Sequence, residues 1–236
     1  GTIENCYVSG NVSATGSGDV TAGGLAGYLG GDSLKVIRKS FSTGTVSATS
    51  ASDDARAGGI AGTSYKNSVI TNCYSTGEIS ASAGDSADAG GIAGHFNIVD
   101  ASTITIERCY ASGIINAGGS GSKKRAGSIA GSAQVEYLGP GSGSITGCAA
   151  LSERVTGGAG ETNRIVGETD FSLDKNIARS DMYVNSNNTV SGSATDKNGT
   201  NVTLPLDTSA FEATLDDWDF NNVWKWLGGY PILKWQ

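Results

Sequence analysis

"AGGIAGTSYKNSVITNCYSTGEISAS", residues 57–82, decides the fold, because close copies of it lie on both sides. The copies begin at Ile3, Ile37, Ile70, Ile106 and Ile145, with spacings of 34, 33, 36 and 39 residues. Their openings read "TIENCYVSGNVSA", "VIRKSFSTGTVSA", "VITNCYSTGEISA", "TIERCYASGIINA" and "SITGCAALSERVT". The first four close on "AGGLAG", "AGGIAG", "AGGIAG" and "AGSIAG", and the fifth on the degenerate "NRIVG" at Gly167. A fixed period of this length means a solenoid, a propeller or an array.

Helical repeats fit badly, because each unit is rich in Gly, Ser, Thr and β-branched residues. Short alternations such as Val46-x-Ala48 and Ile79-x-Ala81 place small apolar residues on one face and Ser or Asn on the other. In "AGGIAG" a lone aliphatic sits among Gly and Ala, which suits a strand entering or leaving a tight corner. A propeller blade needs about four strands in 40–45 residues, and these units leave little room for them. The pattern predicts an all-β chain: a right-handed parallel β-helix of about five coils, followed by a β-rich C-terminal capping region. The expected division is a repeat solenoid over 1–167 and a cap over 168–236. Length differences predict loops at 95–103 ("HFNIVDAST") and 132–144 ("SAQVEYLGPGSGS"). One feature is awkward. Ile3 and Cys6 are three apart, so a regular strand would face them to opposite sides.

Composition agrees with a packed solenoid. The chain has 236 residues, enough for one large β domain or two small ones, with 36 Gly and 3 Pro. A flexible linker is also Gly- and Ser-rich, but it has no need of regularly spaced Ile, Leu, Val and Cys. The net charge of −7 excludes a broad nucleic-acid footprint and disfavours anionic lipid. Residues 1–167 carry 11 basic against 13 acidic residues, and residues 168–236 carry 5 against 10. No apolar run approaches the roughly 18 residues of a membrane span, and no stretch reads as a signal peptide. The chain opens inside a repeat, which reads as a fragment or a processed form.

Cys6, Cys73, Cys109 and Cys148 share one repeat position, which Ser40 fills in the second copy. Such a column predicts small buried side chains. Parallel side-chain directions are poor disulfide geometry, so free thiols are favoured. Spacings of 67, 36 and 39 lack the close pairs of a structural zinc site.

The unit carried by Gly59-Ile60-Ala61-Gly62 and Cys73-Tyr74-Ser75-Thr76-Gly77 resembles the GLUG motif family. The resemblance recurs over about 165 residues. Copy two departs with "SFSTG" and copy five loses "GG", which marks copy five as a terminal unit. GLUG repeats occur in bacterial surface and secreted proteins, including regions of immunoglobulin-A-cleaving metallopeptidases outside the catalytic domain. The closing "W…GGYP.LKW" is similar to endings of such chains from Bacteroides-like bacteria. The resemblance implies a β-helical module with a suspected role in adhesion, located outside the cell or at its surface, and no catalytic residues.

All four tryptophans lie in "DDWDFNNVWKWLGGYPILKWQ". Trp224, Trp226, Tyr230, Pro231, Ile232, Leu233 and Trp235 are expected to cover the open end of the solenoid, whose unpaired edges and exposed core need a cover. An aromatic platform for sugars is the other reading of this cluster. The middle stretch, with its "KNGT" turn signal, would supply a hairpin or added strands.

Catalytic patterns are weak. Asp53, Asp54, Asp85 and Asp88 lie in matching variable stretches of copies two and three, and stacking would gather them into a carboxylate cluster. Solvated loop tips are the plainer reading of these acids, as of Lys123-Lys124-Arg125, which stacking places near them as a surface charge pair. Asp216, Asp217 and Asp219 match no calcium motif, and "GGSGSKKRAG" lacks phosphate-loop spacing. Hydrolysis by a Ser-His-Asp set would have to use His95, in an inserted loop without a nucleophile motif. The four glycosylation sequons ("NVS", "NNT", "NGT", "NVT") are chance products of the composition.

The sequence therefore predicts a monomeric, non-catalytic adhesin-type module without cofactors, contacting a host or bacterial surface glycan or protein. A structural spacer and a carbohydrate-active β-helix enzyme are the alternatives.

Overall fold

The computed structural model describes residues 1–135 and 140–236. The chain winds into a β-solenoid of about five coils with four parallel walls. The third copy shows one circuit. Ala61–Thr71 forms the long wall, Tyr74–Ser75 a two-residue second wall, Ile79–Ala83 the third and Ser86–Gly90 the fourth. Ala93–Ile98 then returns to the long wall beside Ala61–Thr71.

Repeat positions pair directly with their equivalents one coil away. Ile37 pairs with Ile70, Ile70 with Ile106 and Ile106 with Ile145. On the third wall Val46, Ile79, Ile115 and Val155 form a second column. The lone aliphatics of the corner motif, Ile60, Ile92 and Ile129, line up through backbone bonds of 2.9 Å from each amide to the next carbonyl. All of these side chains are buried. Each coil buries its apolar side against its neighbours, which is why the sequence repeats.

The awkward Ile–Cys spacing is resolved by the backbone. Asn5, Lys39, Asn72, Arg108, Gly147 and Lys175, each just before the column position, have φ of 53°, 48°, 52°, 52°, 60° and 51°. One left-handed residue per coil turns the chain, so both the Ile and the Cys point inward. Each column side chain then ties the corner. The Cys73, Cys109 and Cys148 thiols donate to the carbonyls of Thr71 (3.3 Å), Glu107 (3.2 Å) and Thr146 (3.5 Å). Ser40 Oγ donates to Arg38 O at 2.8 Å, and Asn176 continues the column by donating to Ile145 O at 2.8 Å. All four cysteines are free thiols; the exception to the expected burial is Cys6, exposed in the first coil.

Two expected loops are smaller than their sequence suggested. Ala93–Ile98 is a wall strand and Thr103–Glu107 the next one, so only residues 99–102 leave the solenoid there. Likewise Ala130–Val135 and Ser142–Thr146 are strands, and residues 136–139 of the second expected loop lie outside the described residues.

Parallel stacking continues past Gly167. Ser172–Asp174, Ile177–Arg179 and Tyr183–Val184 pair with the fifth copy, and Thr200–Val202 adds one more strand. The remainder, with a helix at Thr208–Thr214 and an antiparallel hairpin of Trp224–Leu227 with Tyr230–Leu233, does not cover the end of the solenoid as expected. It runs back along the second wall. There Tyr7, Phe41, Tyr74 and Tyr110 form an outward aromatic stack, with successive centroids 5.3, 4.8 and 4.9 Å apart. Trp218 donates to Gly147 O (2.7 Å), Trp224 to Asn72 Oδ1 (3.1 Å) and Trp235 to Lys39 O (2.8 Å). The tail is thus a brace along several coils. The physical reason is the stack itself, a stripe of large apolar rings facing water, of which the tail covers Phe41, Tyr74 and Tyr110 and leaves Tyr7 at the first coil exposed. Among the described residues no helix is long and apolar enough to cross a membrane.

Candidate functional site

The "AGG-aliphatic-AG" corner folds the fourth wall back toward the long wall. A Cβ on Gly90 would sit 1.9 Å from Ala93 O, and one on Gly94 would sit 2.7 Å from Ala57 N. Only glycine lets the two backbones approach so closely. The outward faces of these walls therefore look at each other across a cleft that runs along the solenoid axis.

Two rows of side chains line it. The fourth wall contributes Thr21, Arg56, Asp88 and Arg125, in register from coil to coil. The long wall contributes Tyr28, Thr63, His95, Ser132 and Glu168. A polar cavity of about 230 Å³ opens between them, lined by Asp54, Arg56, Asp85, Ser86, His95, Lys123, Arg125 and Gln134.

Its floor is an ion network. Asp88, 1% exposed, accepts from Arg125 Nε at 2.6 Å through Oδ1, and from Arg125 Nη2 at 3.1 Å and His95 Nδ1 at 2.9 Å through Oδ2. Arg125 also donates to Ser86 Oγ (2.7 Å) and Glu168 Oε2 (3.1 Å). Burial pushes the Asp88 carboxyl up, but the His95 hydrogen bond and the Arg125 charge outweigh it and hold it below the ordinary carboxylate value. Burial alone would lower the Arg125 guanidinium, yet Asp88 and Glu168 keep it above its ordinary value. Asp54, at the mouth, pairs with Arg56; burial raises its carboxyl, and Asp19, Asp88 and Asp85 add to the rise.

Of the four aspartates expected to cluster, Asp54, Asp85 and Asp88 reach this cleft. Asp53 stays outside on a loop, where its Oδ1 accepts from Asp54 N at 3.1 Å and its carboxylate lies within 4.8 Å of those of Asp19 and Asp54. Asp88 is no loop tip; it is buried in a strand. Nor is Arg125 half of a surface pair, being 4% exposed. His95 sits on a wall strand instead of an inserted loop, and Ser132, its neighbour one coil on, keeps its Oγ buried and without a hydrogen-bond partner. Sequence reasoning missed His95, Thr63, Ser132 and Tyr28 as one row. The signal was available, since all four follow the "AG" that closes a repeat.

Comparison with known proteins places these features in a family context. Residues 53–80 match the GLUG motif family model. No curated protein matches the chain. Among solved structures, a "putative immunoglobulin A1 protease" from Bacteroides ovatus superposes with a TM-score of 0.68 at 25% identity, over 100% of this chain and 75% of that one.

Proposed function

We propose that the chain is a non-catalytic binding module of a bacterial surface or secreted protein, and that it contacts a surface glycan or protein through the cleft and the flanking long wall. The observation that carries this reading is the axial cleft itself. Polar and charged side chains from successive coils converge there, while the acids best placed for chemistry are already engaged. Asp88 spends its oxygens on Arg125 and His95, and Asp54 on Arg56. A pure spacer has no use for a charged concavity assembled from several repeats. The GLUG match and the Bacteroides ovatus neighbour support a bacterial, extracellular setting. Binding of the purified protein to a glycan array, mucin and matrix proteins tests the proposal. A saturable hit that Lys123→Glu or Asp85→Lys weakens supports it, and a folded protein that binds nothing refutes it in favour of a spacer.

A second reading follows from the neighbour's description as a protease. The Asp88–His95 pair is where hydrolysis would be organised, with Ser132 beside it. Incubation with immunoglobulin A1 separates this reading: cleavage abolished by His95→Ala would establish it.

A further inference from the structure

We infer that Tyr28 and Tyr65 form a saccharide platform at the first-coil end of the long wall. The inference rests on the binding-module reading and names its ligand class. Both side chains point outward, because the alternating Leu29 and Ser64 point in and are buried. Their ring centroids are 6.2 Å apart and tilted by 32°. Tyr28 is 60% exposed. Gly30, paired with Tyr65 on the adjacent strand, has no side chain to hold the two rings apart, and the Tyr28 ring packs over it. A Cβ there would lie 2.6 Å from Tyr65 O and 3.2 Å from the Tyr28 ring.

Polar groups surround the rings. Asn97 pairs with Tyr65 one coil on, and its Oδ1 is buried without a hydrogen-bond partner. On the other side the Lys66 ammonium lies 5.7 Å from the Tyr65 centroid and bridges Asp32 (3.1 Å) and Asp100 (3.3 Å). Apolar rings bordered by amide, ammonium and carboxylate fit an amphipathic ligand. A hexopyranose ring lays its C–H face on an aromatic ring and sends its hydroxyls to such groups. An apolar peptide would need aliphatic walls, and the groups bordering these rings are Asp32, Lys66, Asn97 and Asp100. The platform is shallow, which suits one residue of a longer glycan held by a face.

The test is a glycan array of neutral and sialylated host oligosaccharides on the purified chain, followed by calorimetry of every hit with Tyr28→Ala, Tyr65→Ala and Tyr183→Ala. Tyr183 is an exposed tyrosine on another wall, over Arg154. The expected result is an about tenfold loss of affinity for each of the first two variants and no change for the third. Thermal melts serve as the folding control, and Tyr65→Phe, which keeps the ring, should retain binding if Tyr65→Ala proves unstable. Saccharide binding untouched by Tyr28→Ala and Tyr65→Ala would overturn the inference and leave the module reading standing. Binding to proteins but to no glycan would do the same. Binding to nothing would overturn both.

Discussion

Arg125→Met is the most informative single change. Asp88 accepts three hydrogen bonds in the fold, two of them from Arg125 at 2.6 and 3.1 Å. The substitution keeps the unbranched stem of the side chain but leaves a carboxylate that is 1% exposed with His95 alone. At about 1.5–3 kcal/mol for each charge-assisted bond, the loss is about 3–6 kcal/mol, in line with the ~3–5 kcal/mol that removing one partner of a buried pair costs. Asp88→Leu should cost somewhat less, because Arg125 loses its buried partner but keeps Glu168 and Ser86. The double variant should cost far less than the two together. It removes both charges and leaves neutral or solvated groups, the His95 nitrogen, Ser86 Oγ and the half-exposed Glu168, without their partner, at about 1–3 kcal/mol for each buried one. Denaturant titration of the four proteins measures this, and losses that simply add would refute the account of the cleft floor as one network. The pH dependence has a fixed sign. Asp88 is held below its ordinary value, so its stabilisation is present above the unfolded carboxylate pKa and lost as pH falls through the folded one. Without Arg125 the carboxyl rises, so the acid-unfolding midpoint of Arg125→Met should move to higher pH.

Three further outcomes are expected. Trp224→Ala empties a fully buried site between Tyr74, Tyr110 and Trp218 and frees Asn72; it should cost about 3–5 kcal/mol in thermal or denaturant melts. Gly90→Ala drives a Cβ to 1.9 Å from Ala93 O and should cost about 3 kcal/mol or prevent folding, whereas Gly118→Ala, with nothing within 4 Å, should leave the melting temperature nearly unchanged. Thiol titration of the native protein should count Cys6 alone, with Cys73, Cys109 and Cys148 reacting only on unfolding; burial pushes the Cys148 thiol up to about 12, which removes its reactive thiolate at neutral pH.

The coil was legible because burial acts on every copy in the same way. Ile37, Ile70, Ile106 and Ile145 occupy one column, and a period of 33 to 39 residues follows from that alone. The left-handed corner was hidden for the opposite reason. Its side chains, Asn5, Lys39, Asn72, Arg108, Gly147 and Lys175, answer to their local surroundings and vary freely, while the stack of Ile and Cys columns holds the backbone. The cleft was half legible. Bringing three aspartates to the same stretch of neighbouring coils needs only the period, but their meeting with His95 depends on a backbone approach that the glycines permit and that no spacing encodes. The brace was misplaced because Tyr7, Phe41, Tyr74 and Tyr110 read as part of the repeat, next to an inward Cys or Ser. Being one residue further along, they face out, and a stack of outward rings needs its own cover. The same logic links brace and platform. The tail takes Tyr74 and Tyr110 out of water with Trp224 and Trp218, and nothing in the described chain does so for Tyr28. Two aromatic sets on one solenoid thus meet different fates. Phe41, Tyr74 and Tyr110 are consumed by the fold, while Tyr28 is left at the end of a charged cleft, where a ligand rather than the chain itself can cover it.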